Sequence, residues 1–336
     1  MANTSEISFL IAQFASFFLI CLNSSLNLLV YCWRYREIRQ IFCTRPLDSL
    51  VQLVHHRRSS FVAFCVLNFV FSVVATLENL LVIRTLIKAS TIPATVEKLF
   101  LSLAFSDLAV GLCSQFITAI TSGSILKMAS SGNNTAFFCP TVLGVQSYLR
   151  YLLATASFLN VIVIAFDRLL AVSLHLRYQE LITAKRVNIA LVSLWFISCI
   201  TAFIFVFLPT SNEVVAAAIL LIGYVLTTVA YVRIYKVVKY HQNQIYSQNQ
   251  LQNAQTREAL RQKKSANYAI FVYLVFLACY LSLLPSAILY MTNTSEITFS
   301  VAYYASLFLI LLNSSLNPLV YCWRYREIRQ SVKSTL

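Results

Sequence analysis

Charge is scarce in this 336-residue chain: Asp, Glu, Lys and Arg make up 11% of it, against roughly 25% in ordinary soluble domains. With a hydrophobic fraction of 59%, that scarcity excludes a water-soluble globular fold, because one core of this size cannot hide so much apolar surface. Acid is scarcer than base, 12 Asp and Glu against 26 Lys and Arg. No nucleophile–base pair, metal-ligand cluster or phosphate-cradling loop can be read among the residues, so nothing points to an enzyme. The nine cysteines lie mostly inside apolar runs, Cys65, Cys113, Cys199, Cys279 and Cys322 among them. They have neither zinc-ligand spacing nor the pattern of a disulfide framework, and read as small core residues. The net charge of +14 would suggest nucleic acid in a soluble protein. Here no segment interleaves clustered Lys and Arg with aromatics on a polar background, which argues against it. A secretory signal is also missing: the start is uncharged and a basic segment follows the apolar part.

What the chain does have is long apolar runs, at about 7–33, 59–83, 99–122, 142–166, 188–209, 214–235, 268–291 and 297–321. Each is near the ~20 residues that a helix needs to cross the hydrocarbon layer, and helices satisfy their own backbone there. Setting the first run aside, the loops alternate in charge. Arg84, Lys88 and Lys98, then Arg168, Arg177, Lys185 and Arg186, then Arg233 to Lys264, then Arg324 to Lys333 fall on one side. The opposite loops hold Lys127 alone. The positive-inside rule makes the basic side, and the carboxyl terminus, cytoplasmic. The Gln/Asn-rich stretch 242–255 lacks apolar periodicity and reads as a flexible loop or a helix extension.

The first run is a copy. Residues 1–40 repeat residues 291–330, differing only at Ala2, Ser8, Leu10, Ile11, Gln13, Phe14, Phe17, Cys21 and Leu28. One helix duplicated in this way is neither an inverted transporter repeat nor a solenoid. Its basic tail, with Arg34, Arg36 and Arg39, should stay cytoplasmic, while the next helix must start outside. Residues 1–55 are therefore expected to be a read-through or fusion that joins the end of a neighbouring tandem copy to an intact domain at 56–336. On that view they make few contacts and are dispensable. The other accounts are an eighth helix outside the bundle or a segment lying along the membrane.

Ionisable residues inside a span are costly and usually face the bundle interior. Glu78, Asp107, Arg150 and the pair Asp167–Arg168 stand out. Asn79, Asn313, Ser314 and Asn317 offer hydrogen-bond partners to Asp107. A purely structural network is the alternative to a functional one. Pro285 and Pro318 should each kink a helix, which suits a bundle that moves.

At these residues the chain resembles the rhodopsin-like (class A) G-protein-coupled receptors over about 60–330. The motifs are Asn79 with Leu81 and Val82, Leu103-Ala104-x-x-Asp107, Asp167-Arg168-Leu169, Trp195, Tyr231-x-x-Ile234, Pro285 and Asn317-Pro318-x-x-Tyr321, in order. DRLLAVSLHLRYQELIT and NPLVYCWRYREIRQ are similar to the adenosine and melanocortin receptor branch. The resemblance implies an all-α membrane protein: a seven-transmembrane helix bundle, with WRYREIRQ as a short amphipathic eighth helix. Here it carries in addition an N-terminal apolar helix duplicating helix seven.

The same resemblance implies a plasma-membrane receptor that activates a heterotrimeric G protein, with no cofactor beyond an allosteric Na⁺. Arg168, paired with Asp167 at rest, would be released to the G protein, with Tyr231 and Tyr321 filling the opened space. Leu176 would insert into a G-protein pocket, and Pro285 and Pro318 would supply the hinges. Asp107, Ser157, Asn313, Ser314 and Asn317 match the positions that hold Na⁺ in the family. Asn133, in Asn-Asn-Thr, is a glycosylation acceptor. The family's external disulfide is expected to be absent, since Leu143 stands at its usual cysteine position. Other departures are Gly223 for a proline, Leu283 for the toggle tryptophan and Ser265 for the acidic lock residue.

For the ligand, Arg150 stands where amine receptors carry Asp. Leu311 stands where opsins carry Lys, and Tyr290 and Leu311 where adenosine receptors carry Asn and His. Monoamine, retinal and adenosine are thus disfavoured. Arg150 presents a planar fork suited to carboxylate or phosphate, which points to an anionic extracellular ligand. The alternatives are an internal partner, Glu213 or Glu296, or snorkelling to the interface. Two other function classes fit part of the pattern: a receptor-like protein that does not signal, and a transporter, which would need a symmetry between halves that is not visible.

Overall fold

The computed structural model describes residues 53–88, 93–131, 139–174, 178–207, 212–248, 273–292 and 295–324. The copied segment up to residue 52, Asn133, Leu176, Ser265 and the expected eighth helix beyond Arg324 lie outside the described residues.

Every described element is helical. Helix α1 is Arg58–Lys88. Helix α2 is built of Ala94–Ala109, a π-helical stretch Val110–Gln115 and Phe116–Ser131. Helix α3 is Cys139–Leu174 and is followed by a single turn, Tyr178–Leu181. Helix α4 is Ala184–Phe207 and α5 is Asn212–Gln248. Helix α6 covers 273–291, broken at Ser282 before Leu283–Met291, and α7 is Glu296–Arg324.

Local chemistry places the ends. Pro93 caps α2 in an extended conformation, its carbonyl accepting from the amides of Val96 and Glu97 at 3.0 Å each. Pro140 sits in the first turn of α3, where its missing N–H leaves no bond unmade. The apolar run expected to end at 235 continues as helix to Gln248. The beginning of the Gln/Asn-rich stretch is thus the helix extension rather than a loop, about 1.5 Å per residue out of the bundle.

The burial pattern is turned inside out relative to a soluble protein. Val66, Phe69, Val73 and Leu77 of α1, Ile189, Phe196 and Phe203 of α4 and Leu221, Ile222 and Val225 of α5 are exposed. Asn68, Asn79, Ser106, Asp107, Ser114, Gln115 and Asn160 are fully buried. Lipid solvates such a surface and water does not. Five of the described helices have spans long and apolar enough to cross a membrane, those of α1, α2, α3, α4 and α7.

Helix α3 is the central pillar, touching α2, α4, α5 and α7. One apolar cluster joins six helices through Val82, Leu103, Phe158, Tyr224, Phe276, Tyr280 and Ile310. Helices α1 and α2 approach closely at Gly111, where a Cβ would lie 2.9 Å from Thr76 Oγ1 and 3.0 Å from its backbone nitrogen. The Ser72 hydroxyl donates to the Gly111 carbonyl at 2.8 Å. This pairing falls inside the π-helical stretch, where the widened helix leaves a carbonyl for the neighbour to satisfy.

Candidate functional site

Asp107 is wholly buried. Ser157 of α3 donates to one carboxylate oxygen at 3.0 Å, and Asn317 of α7 donates to the other at 2.7 Å. Asn313 and Ser314 are buried on the same helix as Asn317, and the Asn313 amide nitrogen has no hydrogen-bond partner. Four residues after Ser314 comes Pro318, buried inside α7. Because proline has no N–H, the Ser314 carbonyl loses its helical donor. Asn79 of α1 supplies one instead, at 3.0 Å. Four helices, α1, α2, α3 and α7, are thus tied together around Asp107.

At the far end of α3, Asp167 accepts from Arg168 Nε at 2.9 Å and pairs with the same guanidinium through Nη2. The Tyr178 hydroxyl donates to the second oxygen of Asp167 at 2.6 Å. Burial, and then the Asp167 carboxylate beside it, push the Tyr178 phenol above its ordinary range, so it remains a neutral donor. Tyr231 is buried on α5 with its ring stacked on Tyr273, centroids 4.7 Å apart. The side chain of Tyr321 lies outside the described residues. Pro285 is exposed, and the break in α6 falls at Ser282, with the Ser282 carbonyl accepting from Ser306 of α7. The helix is interrupted within the turn before the proline, as ring–carbonyl clash requires.

Near the opposite end, Arg150 is 9% exposed and its Nε has no hydrogen-bond partner. The side chains of Glu213 and Glu296 lie outside the described residues. One turn earlier on α3, Gln146 donates to Thr118 at 2.8 Å and accepts from Thr121 at 3.0 Å. Ser114 and Gln115 are wholly buried on α2, and the Ser114 hydroxyl and both amide atoms of Gln115 are without partners. Each such atom costs roughly 1–3 kcal/mol when nothing completes it.

Several of these residues have no sequence signal that singles them out. Gln115 and Gln146 are single amides in apolar runs. Tyr280 is buried on α6, its hydroxyl donating to the Ala154 carbonyl at 3.2 Å and its ring 5.2 Å from Phe158 and 4.6 Å from Phe276. It fills the space beneath Leu283 with an aromatic ring. A Cβ at Gly223 would collide with the Phe158 ring, so α5 gives way to that aromatic cluster. Leu53 and Val54, each 4% exposed, pack with Phe61, Ile125, Leu143, Ile297 and Tyr304. They close the ends of α1, α2, α3 and α7 on the side away from Arg168. The cysteines Cys65, Cys113 and Cys279 are free thiols.

A helical bundle with an Asp–Asn–Ser core, an Asp–Arg pair ending its central helix and an Asn–Pro in its last helix is the architecture of one receptor class. The chain belongs to the 7 transmembrane receptor (rhodopsin family), whose profile matches residues 78–218 and 210–321. Similar proteins include melanocortin receptor 4 of Danio rerio, 24% identical over 274 residues covering 77% of this chain and 79% of that one. Melanocortin receptor 5 of Homo sapiens is 22% identical over 269 residues, 79% of this chain and 81% of that one. Melanocortin receptor 3 of Rattus norvegicus is 22% identical over 274 residues, 79% and 82%. The chain is accordingly a multi-pass plasma-membrane receptor near the melanocortin branch and not an enzyme.

Proposed function

We propose that this receptor detects an anionic extracellular ligand through Arg150 and activates a heterotrimeric G protein through Arg168. The observation that carries the coupling end is the Asp167–Arg168 pair, held by Tyr178. A charge pair at the edge of the bundle, with Asp167 buried and Arg168 partly open, is released when a partner offers the guanidinium better acceptors. Leu176 and Tyr321 complete the G-protein face in this reading, with the carboxyl terminus and the eighth helix cytoplasmic and Asn133 glycosylated outside. The relatives are named as melanocortin receptors. In this chain the buried charge of upper α3 is a cation, which favours a carboxylate or phosphate over monoamine, retinal or adenosine. In the full chain, Arg168→Ala should abolish coupling at unchanged surface expression, and Arg150→Gln should lower agonist potency. Undiminished coupling in the first variant overturns the role of Arg168.

An allosteric Na⁺ belongs to the same reading. Asp107, Ser157, Asn313, Ser314 and Asn317 each carry a side-chain oxygen, the kind of donor that suits a hard monovalent ion. Bound there, the ion would favour the resting arrangement by preferring it. Asp107→Asn should remove any sodium dependence of signalling, and retained dependence rules the site out.

A receptor-like protein that does not signal is the second reading, favoured by Leu283 and Ser265 at the toggle and lock positions. Against it stands Tyr280, which keeps an aromatic ring between α3 and α6.

A further inference from the structure

Two hydrogen-bonded levels fix how α2 and α3 lie side by side: Asp107 with Ser157, and Thr118 with Gln146. From Asp107 to Thr118 is eleven residues along α2, and from Ser157 back to Gln146 is eleven along α3, so the antiparallel register is constant between them. Four residues before Thr118 is Ser114, and four after Gln146 is Arg150. The two are therefore level, about 6 Å below the Gln146 bonds, and Gln115 stands beside Ser114. At this level the Ser114 hydroxyl, both Gln115 amide atoms and Arg150 Nε are buried and unpartnered. The levels above and below are bonded across the seam. Tyr304 of α7 lies within the electrostatic reach of Arg150, and Leu53 and Val54 pack onto Tyr304 from the bundle end.

The vacant bonds describe what completes them. Arg150 asks for an anion. Gln115 asks for an acceptor and a donor together, because its amide nitrogen and its carbonyl oxygen are both open. A bare carboxylate or phosphate satisfies Arg150 and leaves the Gln115 oxygen without a donor. A secondary amide next to a carboxylate satisfies both. A free amino acid brings an ammonium up to the guanidinium, where like charges repel. We propose that Ser114, Gln115 and Arg150 form a subsite for an amide-linked carboxylate, the group –CO–NH–CHR–COO⁻. That group is found at the carboxyl end of a peptide and in an N-acyl amino acid. The assignment rests on the reading of Arg150 as an anion anchor and extends it by naming the neighbouring group.

The test is binding to the full chain in lipid nanodiscs, with empty nanodiscs as the blank. The probes are N-lauroylglycine, lauric acid, N-lauroylglycinamide and an acetylated tetrapeptide with a free carboxyl end. N-lauroylglycine or the tetrapeptide should bind, and which of the two is tighter identifies the source of the group. N-lauroylglycine should exceed lauric acid by about tenfold, the worth of one good hydrogen-bonded pair, and the glycinamide should lose most of its affinity. Gln115→Leu and the near-isosteric Gln115→Met should bring N-lauroylglycine down to lauric acid, and Arg150→Gln should abolish both. Equal binding of N-lauroylglycine and lauric acid to the native chain overturns the amide subsite and leaves the Arg150 anchor standing. Equal binding of the glycinamide overturns the anchor. Binding of no probe overturns both.

Discussion

Asp107 and Gln115 lie about two turns apart on α2, both wholly buried, and their surroundings are opposite. Each oxygen of Asp107 receives a donor, one from α3 and one from α7. Neither polar atom of Gln115 receives anything, and the Arg150 and Ser114 atoms level with it are open as well. The first level is completed by the chain itself and so ties helices together. The second is left for something else to complete. In a membrane span neither group can fall back on bulk water, so the contrast separates a level of the bundle that its own side chains complete from one that they do not.

The largest expected effect comes from breaking the completed level. Asp107→Ala leaves Ser157 and Asn317 without their acceptor and should lower stability by about 2–3 kcal/mol, read as the midpoint of thermal unfolding in detergent. An unchanged midpoint would mean that the carboxylate does not hold α3 to α7. Next, Leu53→Ala removes a side chain packed where four helices end, with an expected loss of about 2 kcal/mol. If that variant is as stable as the native chain, the residues before α1 contribute nothing to the bundle.

A smaller effect tests how Pro318 and Asn79 depend on one another. Asn79→Ala strands the Ser314 carbonyl that the proline has freed, a loss of about 1 kcal/mol, because polar contacts in membranes are worth little more. Pro318→Ala restores a backbone donor to that carbonyl. The double variant should therefore cost less than the two single changes added together, and strict additivity in the cycle would break the link. The smallest effect has the opposite sign. Gln115→Leu removes two uncompensated polar atoms, so the ligand-free receptor should gain up to about 1 kcal/mol. A loss of stability there would show that Gln115 is already completed, and the contrast with Asp107 would collapse.

The residues of the lower level were legible because their signals are local. Asp107 in an apolar run, Asn317 beside Pro318 and Asp167 beside Arg168 are each conspicuous within a few positions, and Ser157 was singled out by the resemblance to the rhodopsin-like receptors. The structure joins Asp107 to both Ser157 and Asn317. Arg150 was legible for the same reason, as a charge where a span tolerates few. Gln115 was not, since a neutral amide raises no alarm until its lack of partners is seen.

Long apolar runs were enough to place the described spans and the prolines within them, because those properties depend on the helix and the bilayer alone. The level at which one helix meets the next depends on packing between them. The π-helical stretch Val110–Gln115 is the clearest case. Each residue inserted into a helix turns everything beyond it by about 100°, so the face that Gln115, Thr118 and Thr121 present is set at the close approach of Gly111 to Thr76. Nothing in the order of residues announces that turn. The folded bundle shows it, at the contact between α1 and α2, and it sets which face of α2 the residues beyond it present.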